Sequence, residues 1–189
     1  MLYAYRLVTS GLEQMPIESD LKEALWIDLL NPLEAQVQAL AALGVTVPTL
    51  ADMEEIEVSN RLYREGDTDV LTVVLPGLNK MKEPSFGPVA FLITPERLVT
   101  VRYHTPRPFE TFAAHAGQSS AGCSGRRRVF LGLVEEIVAR LADLLEGVGK
   151  ALDQQSHIAF RDPPPRGEEL ASALRILGRQ SEQVAKVRH

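Results

Sequence analysis

The sequence predicts an α/β fold: a mixed β-sheet with helices packed against it, followed by a long-helix hairpin. Three observations carry this. The runs 71–75, 89–93 and 98–101 are short, apolar and rich in β-branched residues, and they are bounded by Gly, Pro and charged turns. They read as a meander near the centre of a sheet. Two helical patterns, about 32–43 and 49–58, precede them. From 129 to 160, Phe130, Leu133, Val134, Ile137, Val138, Leu141, Leu144, Leu145, Val148 and Leu152 recur at spacings of three and four. That is an amphipathic helix of about 30 residues, longer than a compact body needs.

Residues 2–8 read as a first strand and 24–30 as a second, with a loop or short excursion between them. By period two, Trp26 and Asp28 share one strand face and Ile27 and Leu29 the other. Asp28 reads as a structural carboxylate at a strand end, bonded to nearby backbone. Asn31, Pro32 and Glu34 make a helix start, with Asn31 as cap. Leu33, Val37, Leu40 and Ala41 form the apolar stripe, and Gly44 ends the helix in a left-handed conformation. Thr49 caps the next helix, with Asp52 in the capping-box position. The run 61–65 and the turn at Gly66-Asp67 lead into the meander. Val73 and Phe91 are expected in the core or in a sheet–helix layer.

After the meander, Thr105-Pro106-Arg107-Pro108 forces an irregular connection. A short helix follows at 109–115 with Phe109 and Phe112 on one side. Residues 117–125 are Gly/Ser-rich, but they lack the Gly-Lys-Ser/Thr ending of a phosphate loop. The proline run at 163–165 breaks the long helix. A second arm begins near Glu168, with Leu170, Leu174 and Leu177 as its stripe, giving an antiparallel hairpin.

Composition narrows the function classes. The net charge of -5 argues against general nucleic-acid binding, because phosphate contacts demand a basic face. One cysteine, Cys123, allows neither an intrachain disulfide nor a thiolate metal cluster. No run of about 20 apolar residues is present to span a bilayer. The four histidines lie in no zinc-ligand spacing, and no nucleophile elbow or dinucleotide fingerprint occurs. Nothing in the sequence supports an enzyme. Asp52, Glu54, Glu55 and Glu57 invite a metal reading, but a solvated acidic face paired with Arg61 and Arg64 is the plainer one. His157 and Asp153, four apart, read as a surface ion pair.

An ordered set of segments then points to a family. Trp26-Ile27-Asp28-Leu29-Leu30-Asn31-Pro32, Ala51-Asp52-Met53-Glu54-Glu55-Ile56-Glu57, Ser59-Asn60-Arg61-Leu62-Tyr63, Phe91-Leu92-Ile93-Thr94 and Leu98-Val99-Thr100-Val101-Arg102-Tyr103 occur in turn. Together they resemble the cytosolic domain of CorA-type divalent-cation transporters, over nearly the whole chain. The resemblance implies an α/β/α layered domain over 1–125 and a helical hairpin over 126–189, its second arm cut short. It implies a homopentamer that passes Mg²⁺ or another divalent cation, with no organic cofactor. A stalk and membrane helices would lie beyond the chain, placing the whole protein in the bacterial inner membrane with this part on the cytoplasmic side. The alternatives are a zinc transporter of the same family, or a soluble interaction module with no transport role that uses its helical hairpin to dimerise.

The same resemblance names candidate metal-sensing carboxylates. Glu83 lies in the loop between the first and second meander strands, where the family carries a regulatory acid. Glu146 and Asp153 fall where acids lie on the first hairpin helix. The loop departs from the family pattern, since it carries Lys80 and Lys82 and its single acid, Glu83, is displaced toward the next strand.

Overall fold

The computed structural model describes residues 1–55, 61–159, 167–168, 171–176 and 178. It divides into two compact units, Met1–Glu136 and Ile137–His189, each taken by itself below.

The first unit is built on one seven-stranded sheet. Its strands are β1 (Leu2–Val8), β2 (Gly11–Gln14), β3 (Trp26–Leu30), β4 (Leu62–Glu65), β5 (Thr68–Leu78), β6 (Pro84–Ile93) and β7 (Leu98–Arg102). The spatial order is β2-β1-β3-β7-β6-β5-β4. The predicted meander is β5-β6-β7, antiparallel throughout, with Phe91 opposite Leu71 and Thr100. β3 and β7 run parallel, Asp28 beside Thr100, so the sheet is mixed. β7 is buried along its whole length and β6 along its inner half, which explains their near-continuous apolar character.

Helices α1 (Glu34–Ala41) and α2 (Leu50–Glu55) lie on one face. Their Leu40 and Met53, with Val45, pack into a cluster with Ile27, Leu29, Val70, Ala90, Leu92, Val99 and Val101. On the opposite face lie α3 (Pro108–His115) and the first turns of α4 (Arg126–Ala159). Trp26 and Phe91 meet Phe109, Phe112 and Phe130 there, at centroid separations of 5.4–6.5 Å. The unit is therefore an α/β/α sandwich, as the resemblance implied. α4 approaches closely because Gly132 has no side chain: a Cβ there would lie 2.7 Å from Phe112 Cε2.

Several local expectations are corrected. Residues 11–14 are a strand, β2, hairpinned to β1 and crossed by an Arg6–Glu13 ion pair of 2.6 Å. Asn31 does not cap α1. It takes a left-handed φ of 47°, and its N–H bonds the Arg102 carbonyl at 2.9 Å, which prolongs the β3–β7 pairing. The sheet uses Asn31 first, so Leu33 becomes the N-cap and its N–H is met by the Gln36 side chain at 3.0 Å. The α1 stripe is narrower than predicted. Leu40 is fully buried, but Leu33 and Ala41 are exposed, and Leu43, Val45 and Val47 complete the contact. Val73 is half-buried, whereas Phe91 is in the core.

Other expectations hold. Thr49 Oγ1 accepts from Asp52 N–H and donates to Asp52 Oδ2, whose carboxylate also accepts from Thr49 N–H. Those bonds hold the Asp52 carboxyl below its ordinary value. Gly44 has φ 76° and ends α1.

In the second unit α4 continues to Ala159, and 171–176 is helical. The covered face of α4 runs through Ile137, Leu141, Leu144, Val148, Ala151, Gln155 and Ile158. The predicted stripe ended on Leu152, which is exposed. Strict alternation of four- and three-residue steps carries the face to Ala151 and Gln155 instead. In the second arm Leu174 is exposed and Ala173 buried. Leu170, Leu177, the break at 162–166 and the far end of the 49–58 helix lie outside the described residues.

Candidate functional site

The candidate residues fall in two separate regions: in the first unit an ion-pair root in the sheet with a hairpin arm rising from it, and in the second unit two acids on α4.

The root is a buried polar chain on the α3/α4 face of the sheet. Asp28 on β3 accepts from Thr100 Oγ1 at 2.7 Å, from Arg102 Nε at 3.1 Å and from an Arg102 terminal nitrogen at 2.7 Å. Both charged side chains are nearly inaccessible, at 3% and 1% exposure for Arg102 and Asp28. Trp26 Nε1 donates to Thr100 Oγ1 at 3.1 Å, and the Arg102 guanidinium stands 5.2 Å over the Phe109 ring. Buried charges persist only when paired and hydrogen-bonded, and this pair meets that condition. Asp28 was expected to bond backbone; its partners are side chains. Arg102 was missed, although an inward-facing Thr100 and Arg102 at period two in an apolar strand signalled a buried carboxylate partner.

The arm is the outer part of the β5–β6 hairpin. β5 and β6 pair beyond the end of β7, and Leu78 bridges Thr105 through reciprocal backbone bonds of 2.9 and 3.1 Å. The tip, 79–83, is organised by Asn79. Its side-chain oxygen accepts from Met81 and Glu83 N–H at 2.9 and 3.0 Å, and its amide donates to Glu83 Oε2 at 3.1 Å. Lys82 sits at φ 62° within this turn. Glu83 is thus exposed but already engaged by Asn79, with Lys80 and Lys82 beside it.

Glu146 and Asp153 are exposed on α4. Seven residues apart, they share one face about two turns from each other, roughly 10 Å along the axis. That is too far to grip one ion directly. Glu146 pairs with Lys150 at 2.6 Å. Asp153 and His157 do not form the expected ion pair; among the described residues the ion pairs are Arg6–Glu13, Asp28–Arg102, Arg64–Asp69 and Glu146–Lys150. Among the described residues Arg64 pairs with Asp69 at 3.5 Å, while the side chains of Glu55 and Glu57 lie outside the described residues. Glu83 belongs to the first unit and the other two acids to the second. Among the described residues, no group of three or more His, Cys, Asp or Glu is assembled that could hold a metal ion. No described helix is long and apolar enough to cross a membrane.

The family described as CorA-like Mg²⁺ transporter protein matches residues 22–176. The chain belongs to the CorA-like family. The CorA magnesium transport protein of Escherichia coli K12 is 27% identical over 191 residues, spanning all of this chain and 60% of that protein. The chain therefore spans about three fifths of the length of the curated CorA relatives it matches. The soluble domain of CorA from Methanocaldococcus jannaschii superposes with a TM-score of 0.61 at 12% identity, covering 84% of this chain and 64% of that one. The ZntB cytoplasmic domain from Vibrio parahaemolyticus superposes with a TM-score of 0.57 at 13% identity, covering 81% and 64%. At such identities the CorA and ZntB structures speak for the fold.

Proposed function

We propose that this chain is the regulatory part of a CorA-type transporter that passes Mg²⁺ down the membrane potential, and not an enzyme. The supporting observation is the end-to-end match, 27% over 191 residues, to a magnesium transport protein. In this reading the whole protein is a pentamer in the inner membrane, with the layered unit and α4 on the cytoplasmic side. Divalent ions bound between neighbouring subunits would neutralise acidic faces and hold the closed state, because a ligand stabilises whichever state binds it better. Mg²⁺ keeps much of its water and takes only one or two direct carboxylates, so isolated acids on facing surfaces suffice. Glu83, Glu146 and Asp153 are the sensing residues in this proposal. Asp153, exposed and outside the ion pairs described, is the readiest of the three.

A zinc-carrying version of the same reading draws on one feature. The arm tip presents Lys80 and Lys82 where the family carries a sensing acid, so its regulation by Mg²⁺ would be weaker.

The test is ion flux by the full-length protein in vesicles, with and without E83Q, E146Q and D153N together. The expected result is Mg²⁺ entry whose inhibition by internal Mg²⁺ is relieved in the triple variant. Unchanged inhibition removes these three residues as the sensor. Zn²⁺ flux without Mg²⁺ flux selects the zinc reading, and no divalent flux removes the transport reading.

A further inference from the structure

The β5–β6 arm is fastened at one point by an imidazole. His104, just past the end of β7, is 6% exposed, and its Nε2 lies 2.9 Å from the Leu75 carbonyl oxygen. A carbonyl only accepts, so Nε2 carries the proton and the ring is the Nε2–H tautomer. Nδ1 is buried with no hydrogen-bond partner. The ring fits because two glycines flank it. A Cβ at Gly77 would lie 2.7 Å from His104 Cδ2, and one at Gly87 would lie 2.9 Å from Nδ1. Gly77 is on β5 and Gly87 on β6, on the same face and in cross-strand pairs separated by one, Gly77 opposite Ser85 and Gly87 opposite Leu75 with Pro76–Phe86 between them. The imidazole therefore sits in a slot that spans both strands of the arm, immediately below the Leu78–Thr105 bridge.

We propose that His104 is a protonation-gated latch: the neutral ring holds the arm against the sheet, and the imidazolium releases it. The slot cannot accommodate the charged ring as built. A proton on Nδ1 would point at Gly87 with no acceptor, and an unsatisfied buried donor is costly. The charged groups facing the ring are few. β7 supplies the Arg102 guanidinium, which donates to the His104 carbonyl at 3.1 Å. Behind it, β3 supplies Asp28, already committed to Arg102 and Thr100. β5 and β6 present Leu75, Gly77 and Gly87, and the segment after β7 presents Thr105 and Pro106; none of these ionises. Among the described residues, α3 and α4 included, the one charge that acts on the ring is Arg102, so a second cation there meets repulsion with no carboxylate to offset it. Burial, more than Arg102, keeps the imidazole below its ordinary value of 6.5, while the Leu75 carbonyl acts in the opposite sense.

The chain of bonds gives the latch its reach. Asp28, Arg102, His104 and Leu75 link β3, β7 and β5 in series, and the last link sits on the end of β5 that leads to the 79–83 tip. Releasing it frees the tip without unfolding the sheet. The arm would open in mild acid and close at neutral pH.

Amide hydrogen exchange on the 189-residue chain, as protection factors at Leu78 and Thr105 from pH 7.5 to pH 5, tests the latch. An open-state histidine of ordinary basicity favours release at pH 5 by up to roughly thirtyfold. Protection at these two amides should fall toward that limit, while amides of β3 and β7 hold. In H104Q, which keeps a donor for Leu75 but does not titrate, the fall should vanish. Constant protection in the wild type, or an equal fall in H104Q, overturns the proposal. If H104Q does not fold, nitrogen NMR of the histidine rings decides. An Nε2–H tautomer titrating below the exposed histidines supports the latch, and ordinary titration overturns it.

Discussion

Replacing Asp28 by alanine should be among the most damaging single changes in the layered unit. It removes the acceptor for three Arg102 contacts of 2.7–3.1 Å and for the Thr100 hydroxyl at 2.7 Å. Arg102 is left charged at 3% exposure, unable to lose its proton and too enclosed to be rehydrated. Removing one partner of such a pair costs about 3–5 kcal/mol, most of it the stranded charge rather than the worth of the bridge. With a urea slope of about 2 kcal/mol per molar, the midpoint should fall by roughly 1.5–2.5 M. Trp26 is a built-in reporter. It is the single tryptophan, fully buried, stacked on Tyr5 at 4.5 Å and bonded to Thr100, so its fluorescence follows this part of the sheet. The double variant Asp28→Val with Arg102→Met removes both charges and should recover most of the loss. A loss below about 1 kcal/mol for Asp28→Ala, or a double variant as unstable as the two single losses added, would refute the stranded-charge argument.

Two further outcomes follow from packing and from a shifted acid. Gly132→Ala should lower the melting temperature even though alanine favours helix by about 1 kcal/mol, because the new Cβ meets Phe112 at 2.7 Å and overpacking costs about 1–3 kcal/mol; an unchanged or raised melting temperature would contradict the close seat of α4. Burial pushes the Tyr5 hydroxyl up from 10 to about 12. The folded state then keeps a proton that the unfolded state sheds, so stability from this group is complete below pH 10 and is lost as pH rises toward 12. Stability curves of wild type and Tyr5→Phe should converge in slope below pH 10 and diverge above it, and parallel curves across that window would remove the assignment.

How much was legible depended on whether a feature is local. The Thr49–Asp52 capping box, the Gly44 stop, the β5-β6-β7 meander and the length of α4 arise from residues within a few positions of one another. Capping geometry and apolar period therefore sufficed to place them. The same tools failed where a longer-range demand took precedence. Asn31 has the chemistry of a cap, but the Arg102 carbonyl claims its N–H across 71 positions. Leu152 continues a loose apolar period, but the strict alternation of the helix contact favours Gln155. The candidate acids came from family likeness, because isolated surface carboxylates have no period to betray them. The structure adds that Asn79 engages Glu83 and that Lys150 engages Glu146.

The sequence alone therefore determined the class, the order of the meander and of the main helices, and the family resemblance, since short-range stereochemistry and burial pattern are written residue by residue. The tertiary structure alone decided the parallel pairing of β3 with β7, which sets Asp28 beside Thr100, and the β5–β6 register, which sets Gly77 and Gly87 on one face against His104. Those juxtapositions depend on register between segments far apart in the chain. Local periodicity states which face a residue takes, but not which residue it will meet there.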